Sequence, residues 1–283
     1  MRPDRSAGRM SKTIKTIVGA ARLGKFCCAT AFCLIAIFCA AGVAPAAAMV
    51  GGAQPAADGA GRSVVMILGS YGTACTATAI ARDLLLTAAH CVQPGADYKL
   101  ADTWSARRPE LKDIVRIARD PLFEIKKLFA HLATADVALA KLAEPLPVKI
   151  PPVPLDDATR PIMTGDAFVV AGYGVTVRGD GRTGGTVRSA TLVATGEPNS
   201  LQLRLVDPRT EDQRPGLGAC GGDSGAPAFR NAGGNLSIVG IVSWSTGPKF
   251  SAGCGGLTGV TPLTRYRTWI TQTARSLGSS LAP

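Results

Sequence analysis

Short apolar runs of roughly five to eight residues, separated by glycine, proline and aspartate, make up most of the chain after residue 48. Runs of this length between turn-forming residues are typical of β-strands, whereas a helix needs a longer segment with a period of three to four residues. The runs are RSVVMIL, TATAIA, DLLLTAA, DVALAKL, DAFVVAGYG, LQLRLVD, GAPAFR and LSIVGIVSW. The pattern therefore predicts an all-β fold.

A helical period appears at the end of the chain. After Pro262, apolar residues recur at steps of three and four, which predicts an amphipathic helix over about 262–277. These residues are Leu263, Tyr266, Trp269, Ile270 and Leu277. A proline-rich segment near residues 150–165 divides the preceding strands into two similar halves, about 49–155 and about 165–260. We interpret this segment as a linker between two β units.

The first 48 residues have the composition of a secretory signal. Residues 1–25 carry seven lysines or arginines and one aspartate, and residues 26–44 form an uncharged apolar run. Ala46 and Ala48 then supply an A-x-A site, so cleavage is expected after Ala48. A retained membrane anchor is the alternative, because a run of this length can just span a bilayer. The A-x-A site favours cleavage and hence a secreted protein, periplasmic or extracellular.

Removal of that segment weakens an apparent signal for nucleic-acid binding. The whole chain has a net charge of +11, and without residues 1–48 it has a net charge of +5. No run of basic residues and no alternation of basic with aromatic residues remains, so nucleic acid is not an expected partner. The mature chain is expected to be a monomer without stable membrane association.

The cysteines are divided equally between the first 48 residues and the rest of the chain. Four lie in the first 48 residues, and the other four are Cys75, Cys91, Cys220 and Cys254. An even number in an exported chain suggests two disulfides, for which three pairings exist. The chain has only two histidines, and its mature part has no C-x-x-C pair, so neither a metal nor another cofactor is expected.

The stretch GACGGDSGAP, residues 218–227, places Ser224 among four glycines. Glycine permits positive φ and close approach to a backbone, so this segment is suited to hold a reactive group near another chain. A serine hydroxyl is a weak nucleophile until a base removes its proton, and the base needs an acid to orient it. The rest of the sequence should therefore contain a suitable histidine and a suitable acid.

His90 is the candidate base, because LLLTAAHC places it after an apolar run and beside Cys91, where a disulfide would fix its backbone. His131 has no such anchor and is interpreted as an ordinary surface or core residue. Asp136 is the candidate acid, because the apolar run that follows it would carry it into the core, where a carboxylate needs hydrogen-bond donors. The alternative role for Asp136 is to cap a turn at the start of a strand.

LTAAHC, ADVALAKL and CGGDSGAP, in that order, resemble the three signature blocks of the trypsin/chymotrypsin-like serine endopeptidases. MVGG resembles the mature N-terminus of that family, VAGYG its glycine-aromatic-glycine strand and IVSWS its substrate-pairing strand. The resemblance covers residues 49–275. It implies two six-stranded antiparallel β-barrels with a catalytic triad in the cleft between them.

The resemblance also implies a role for each candidate residue. Ser224 would be the nucleophile, His90 the general base and then acid, and Asp136 the residue that orients the histidine. The backbone N–H groups of Gly222 and Ser224 would form the oxyanion hole. The implied substrates are proteins or peptides, and protein inhibitors are further expected partners.

Two further features follow from the same resemblance. A new N-terminal ammonium on Met49 would pair with Asp223 and shape the oxyanion hole. Because cleavage after Ala48 leaves no propeptide, export itself would complete activation. The implied disulfides are Cys75–Cys91 and Cys220–Cys254.

The resemblance also assigns the substrate-binding residues, which are Gly218, Ala219, Ser243, Trp244, Ser245 and Gly259. Trypsin-like members bind Arg or Lys through an acid at the position of Gly218, and neither Gly218 nor Ala219 can pair a cation. Ser245 stands where the family usually has glycine, at one wall of the specificity pocket, and Gly259 would leave the entrance open. Uncharged side chains are therefore expected before the scissile bond, small to medium aliphatic first and aromatic second.

Other functions fit the sequence less well than the endopeptidase that the resemblance implies. A binding module that kept the fold without activity should lack a triad residue, and all three are present. An esterase or acyltransferase with the same triad is excluded less firmly. An α/β-hydrolase fails because Ala226 replaces the last glycine of G-x-S-x-G and because the chain order is His, Asp, Ser.

Overall fold

The computed structural model describes residues 49–57, 59–102, 109–199 and 201–283. The signal segment expected over residues 1–48 lies outside these ranges. The described residues form thirteen β-strands and two α-helices, with a few single turns of 3-10 helix between them.

The first barrel closes six antiparallel strands in the order β2-β3-β4-β7-β6-β5. Aliphatic side chains that alternate inward fill its interior, and Leu85, Leu100 and Leu139 are fully buried there. The strands are β2 Val64–Gly69, β3 Ala74–Ala81, β4 Leu84–Thr87, β5 Tyr98–Asp102, β6 Glu110–Arg119 and β7 Ala138–Leu142.

The second barrel has the strand order β8-β9-β10-β13-β12-β11, and it closes because β11 also pairs with β8. A short strand, β1 (Gln54–Pro55), adds to β9. The six strands are β8 Ala167–Gly172, β9 Arg188–Thr195, β10 Leu203–Val206, β11 Pro227–Ala232, β12 Asn235–Ser245 and β13 Thr258–Pro262. The predicted all-β class with two six-stranded antiparallel barrels is confirmed.

Strand β3 is buried along all but its first residue. A strand that only lined a barrel would expose alternate side chains, so the outer face of β3 must also be covered. Thr76 on this strand donates its backbone N–H to the carbonyl of Ser224 at 2.8 Å and its hydroxyl to the carbonyl of Gly222 at 2.8 Å. The N–H of Tyr173 in turn donates to the Thr76 hydroxyl at 3.0 Å. The small residues of TATAIA allow this close approach between the barrels.

The C-terminal helix α2 spans Arg267–Ser276. It begins later than the apolar period suggested, because Pro262 still belongs to β13 and pairs with Gly240 of β12. Ile270 and Ala274 are its buried face. A second helix, α1 (Ile125–Phe129), has too few residues to show a helical period, so it was not predicted. Neither helix of the described ranges has the length and apolar character needed to cross a membrane.

Candidate active site

His90 lies in one turn of 3-10 helix, Ala89–Cys91, directly after β4. A disulfide between Cys75 and Cys91 ties this turn to β3. The turn is therefore fixed at both ends, by the ladder of β4 and by a covalent link to the neighbouring strand.

Asp136 is fully buried, and its carboxylate accepts three hydrogen bonds. Oδ2 lies 2.7 Å from Nδ1 of His90 and 2.5 Å from the hydroxyl of Ser243, and Oδ1 lies 2.9 Å from the backbone N of His90. These donors offset the cost of burying a charge. Because the carboxylate is the acceptor, the proton of a neutral His90 sits on Nδ1, and Nε2 remains the basic nitrogen.

Ser224 lies in a tight loop between two glycines with positive φ, Gly222 at +94° and Gly225 at +80°. A Cβ atom at Gly225 would lie 2.3 Å from both the carbonyl oxygen of Thr76 and the hydroxyl of Thr87, so only glycine fits there. The loop is thus packed against β3 and the end of β4, next to His90. No hydrogen bond joins Ser224 Oγ to His90 within the described ranges, and such bonds are often long until substrate binds.

The backbone N–H groups around Ser224 differ in whether they have an acceptor. The N–H of Asp223 donates to the Cys220 carbonyl and that of Gly225 to the Val242 carbonyl. Within the described part of the chain, the N–H groups of Gly222 and Ser224 have no acceptor. Two unpaired donors beside a serine hydroxyl are the arrangement that a developing oxyanion requires.

Asp223 is fully buried and accepts the backbone N–H groups of Gly174 at 2.8 Å and Cys220 at 2.9 Å. Burial raises the pKa of this carboxyl to about 7, against the opposite effect of the two backbone donors. Met49 is also buried in the second barrel, and the N–H of Val50 donates to the Gly218 carbonyl at 3.1 Å. The segment at Met49 therefore docks beside the Ser224 loop, while its ion pair with Asp223 stays a prediction.

The expected substrate residues gather at the ends of β12 and β13 and in the loop before Ser224. Ser243, Trp244 and Ser245 end β12. Gly218 and Ala219 precede Cys220, which a second disulfide joins to Cys254.

Gly259 lies against Trp244, since a Cβ atom at Gly259 would lie 2.0 Å from the ring of that residue. Its place at the pocket wall stays a prediction. The preceding residue, Thr258, is buried beside Ala219. Its hydroxyl accepts the N–H of Ala219 at 3.0 Å and would lie 3.5 Å from a Cβ at Gly218.

His131, which the sequence analysis interprets as an ordinary surface or core residue, stacks on Trp244 with ring centroids 4.7 Å apart. Phe250 stands edge-on to the same imidazole at 5.3 Å. Nothing in the sequence near His131 indicates this contact, because Trp244 and Phe250 come from the other half of the chain.

One group of potential metal ligands occurs in the described ranges, formed by Cys75, His90 and Cys91. Both sulfurs belong to the disulfide, and the Nδ1 of His90 is bonded to Asp136. This group therefore offers no thiolate to a metal ion. The expectation of a metal-free site stays a prediction.

Comparison with known proteins assigns the family. The Trypsin family profile matches residues 50–270. Snake venom serine protease rhinocerase 4 of Bitis rhinoceros is 25% identical over 215 residues, covering 74% of this chain and 81% of the relative. Human kallikrein-11 is 28% identical over 211 residues, covering 71% and 72%. Transmembrane protease serine 9 of Rattus norvegicus is 28% identical over 256 residues, or 83% of this chain and 23% of that protein. The chain therefore belongs to the trypsin family and is a serine endopeptidase, in agreement with the resemblance of its three motifs.

Proposed function

We propose that the protein is a secreted endopeptidase that uses Ser224, His90 and Asp136 and prefers small, uncharged side chains before the scissile bond. The observation that carries the catalytic assignment is the buried carboxylate of Asp136, which accepts both the ring N–H and the backbone N–H of His90. Such a pair holds the imidazole in one tautomer and one orientation.

In this proposal Ser224 Oγ attacks the carbonyl carbon of the scissile bond while Nε2 of His90 takes the hydroxyl proton. The negative charge that develops on the carbonyl oxygen is met by the N–H groups of Gly222 and Ser224. The imidazolium then gives its proton to the leaving amine, and an acyl-enzyme remains. A water molecule repeats the sequence on the ester, with His90 again as base, and releases the acid and free Ser224. Asp136 keeps its negative charge throughout and stabilises the imidazolium.

The size preference rests on two side chains that would narrow the pocket. Ser245 and Thr258 are opposite each other on β12 and β13, so each carries a side chain where a glycine would leave room. Thr258 is completely buried. Two such side chains shorten the pocket, which supports small aliphatic over aromatic substrates.

The preference for uncharged side chains rests on the acids near Gly218. Among the described residues, none of them is available to pair a substrate cation. Asp207 accepts the N–H groups of Arg209 and Leu217, and Asp212 accepts the N–H of Lys249. Both carboxylates are thus engaged with loop backbone near Gly218. A lysine or arginine in the pocket would be a buried, unpaired charge, which is strongly unfavourable.

The test is Ser224→Ala with matched peptides that carry Ala, Val, Leu, Phe or Arg before the scissile bond. The variant should lose about 10⁶-fold in kcat on peptides and should not react with a serine-directed fluorophosphonate. A matched control, Ser251→Ala, removes an exposed hydroxyl and should keep full activity. Undiminished activity of Ser224→Ala would refute the nucleophile, and a preference for Arg would refute the pocket assignment. Hydrolysis of simple esters without any peptide cleavage would point to the esterase alternative.

A further inference from the structure

A cavity of about 600 Å³ opens between the segment that follows β6 and the first turns of α2. Residues 133–135, immediately before Asp136, form a third wall. Nothing in the proposed peptidase mechanism uses this cavity. Its volume falls within the range of small-molecule sites.

The carboxylate of Asp120 lines the cavity although the residue is only 5% exposed. Its Oδ1 accepts the N–H of Leu122 at 2.9 Å. Among the described residues this amide is its sole hydrogen-bond donor, and no lysine or arginine lies within ion-pair distance. Burial raises the pKa of the Asp120 carboxyl, with the Leu122 bond acting in the opposite direction. Burying a carboxylate with a single hydrogen-bond donor costs free energy. A cationic ligand would supply the missing donors and the opposite charge.

Two aromatic side chains, Tyr266 and Trp269, line the cavity beside this carboxylate. Burial, followed by the nearby charge of Asp120, raises the pKa of Tyr266, in keeping with their proximity. The faces of aromatic rings attract cations and also provide a flat apolar contact.

The basic residues of the cavity do not satisfy Asp120. Lys127 is bonded to Glu124 at 2.5 Å, and both side chains are about half exposed. Arg265 is exposed as well. These groups therefore belong to the solvent-facing rim, while Asp120 lies deeper.

We propose that this cavity binds a small organic ammonium ion, with its –NH₃⁺ group on the Asp120 carboxylate and a flat apolar body against Tyr266 and Trp269. A divalent metal is a poorer occupant, because Ca²⁺ needs six to eight oxygen ligands and this cavity supplies one buried carboxylate. The site is independent of the peptidase proposal, since no catalytic residue lines it.

Benzylamine is the probe, titrated into the mature protein after irreversible modification of the reactive serine, so that the substrate cleft is blocked. We expect saturable binding by calorimetry and a saturable change in tryptophan emission that is absent from Trp269→Phe. Benzyl alcohol has the same shape without the charge and should bind at least about 10-fold more weakly, because bonds between charged groups are the stronger ones. Equal binding of the two compounds, or no saturable binding of benzylamine, would overturn the proposal.

Asp120→Asn keeps the acceptor for Leu122 and nearly the same shape, and it should weaken benzylamine binding at least about 10-fold. The matched control is Asp113→Asn, an exposed carboxylate on β6, which should leave binding unchanged. Leu122→Arg provides a second variant at a position that is 72% exposed, where folding is not at risk. Its guanidinium can reach the cavity and should compete with benzylamine. Unchanged binding in both Asp120→Asn and Leu122→Arg would exclude this cavity as the site.

Discussion

Of the four buried aspartates among the described residues, Asp136, Asp223 and Asp120 differ in how many hydrogen-bond donors their carboxylates accept. Asp136 accepts three hydrogen bonds, Asp223 two, and Asp120 one within the described ranges. A buried carboxylate with fewer donors has more to gain from an added cation. The proposed cation is the His90 imidazolium for Asp136, the N-terminal ammonium for Asp223 and the amine ligand for Asp120. In all three proposals, a cation offsets the charge of a buried carboxylate.

A prediction at the residue scale concerns Thr258. Thr258→Ser removes one methyl group from the pocket but keeps the hydroxyl that accepts the Ala219 N–H. The ratio of kcat/KM for Leu over Ala substrates should rise about 10-fold, because one methyl-sized group in such a pocket changes selectivity by that order. The measurement is steady-state kinetics on the matched peptides.

Its control is Thr258→Val, which keeps the volume and removes the acceptor. The substrate ratio should stay constant, while the free energy of unfolding falls by about 1–3 kcal/mol because the Ala219 N–H is left unpaired. An unchanged ratio of kcat/KM for Leu over Ala substrates in Thr258→Ser would mean that Thr258 does not line the pocket.

At the scale of elements, the disulfide between Cys75 and Cys91 connects β3 to the turn that carries His90. The double variant Cys75→Ala/Cys91→Ala opens a loop with a sequence separation of 16 residues. We expect a loss of about 3 kcal/mol in the free energy of unfolding, measured by urea titration. Activity should fall as well, since the His90 turn then has one anchor. The oxidised parent protein is the reference, and equal stability with and without the Cys75–Cys91 bond would contradict the prediction.

The strands were predictable because their apolar runs and turn residues are local features of the sequence. The blocks around His90, Asp136 and Ser224 were predictable for the same reason. The contact between Gly259 and Trp244 was not, because it depends on the pairing of β12 with β13, which shifts between Val242 and Trp244. Such an irregularity changes which residues lie opposite each other, and no residue type marks it in the sequence. The stacking of His131 on Trp244 likewise depends on a contact between distant segments.

At the scale of the whole molecule, the proposed ion pair of Asp223 would link processing of the N-terminus to the free energy of unfolding. Its pKa of about 7 lies above the unfolded value of about 3.9, so the folded state favours the protonated form. The stability that this contributes is present below about pH 4 and is lost as the pH rises to about 7, by an amount on the order of a few kcal/mol. An ammonium beside Asp223 would lower that pKa and abolish the loss.

The prediction uses Ser224→Ala protein in two forms, one that begins at Met49 and one that retains residues before it. Thermal unfolding between pH 4 and pH 8 should show the longer form losing stability relative to the shorter one as the pH rises. Asp223→Asn should remove the difference between the two forms. Parallel pH profiles in the unaltered pair would mean that no ion pair forms, and N-terminal sequencing of active secreted protein should read MVGG.

The hydrogen bonds of Thr76 to the Ser224 loop also have a consequence for the order of folding. Thr76 and Gly222 are 146 residues apart in the chain, so the loop around the nucleophile is held in place only after both barrels have formed and met. Contacts this distant in sequence form late. During refolding, reactivity toward a fluorophosphonate should return with the slowest phase, and an earlier return would contradict this order. If this order holds, a partly folded chain has no peptidase activity until its two barrels have met.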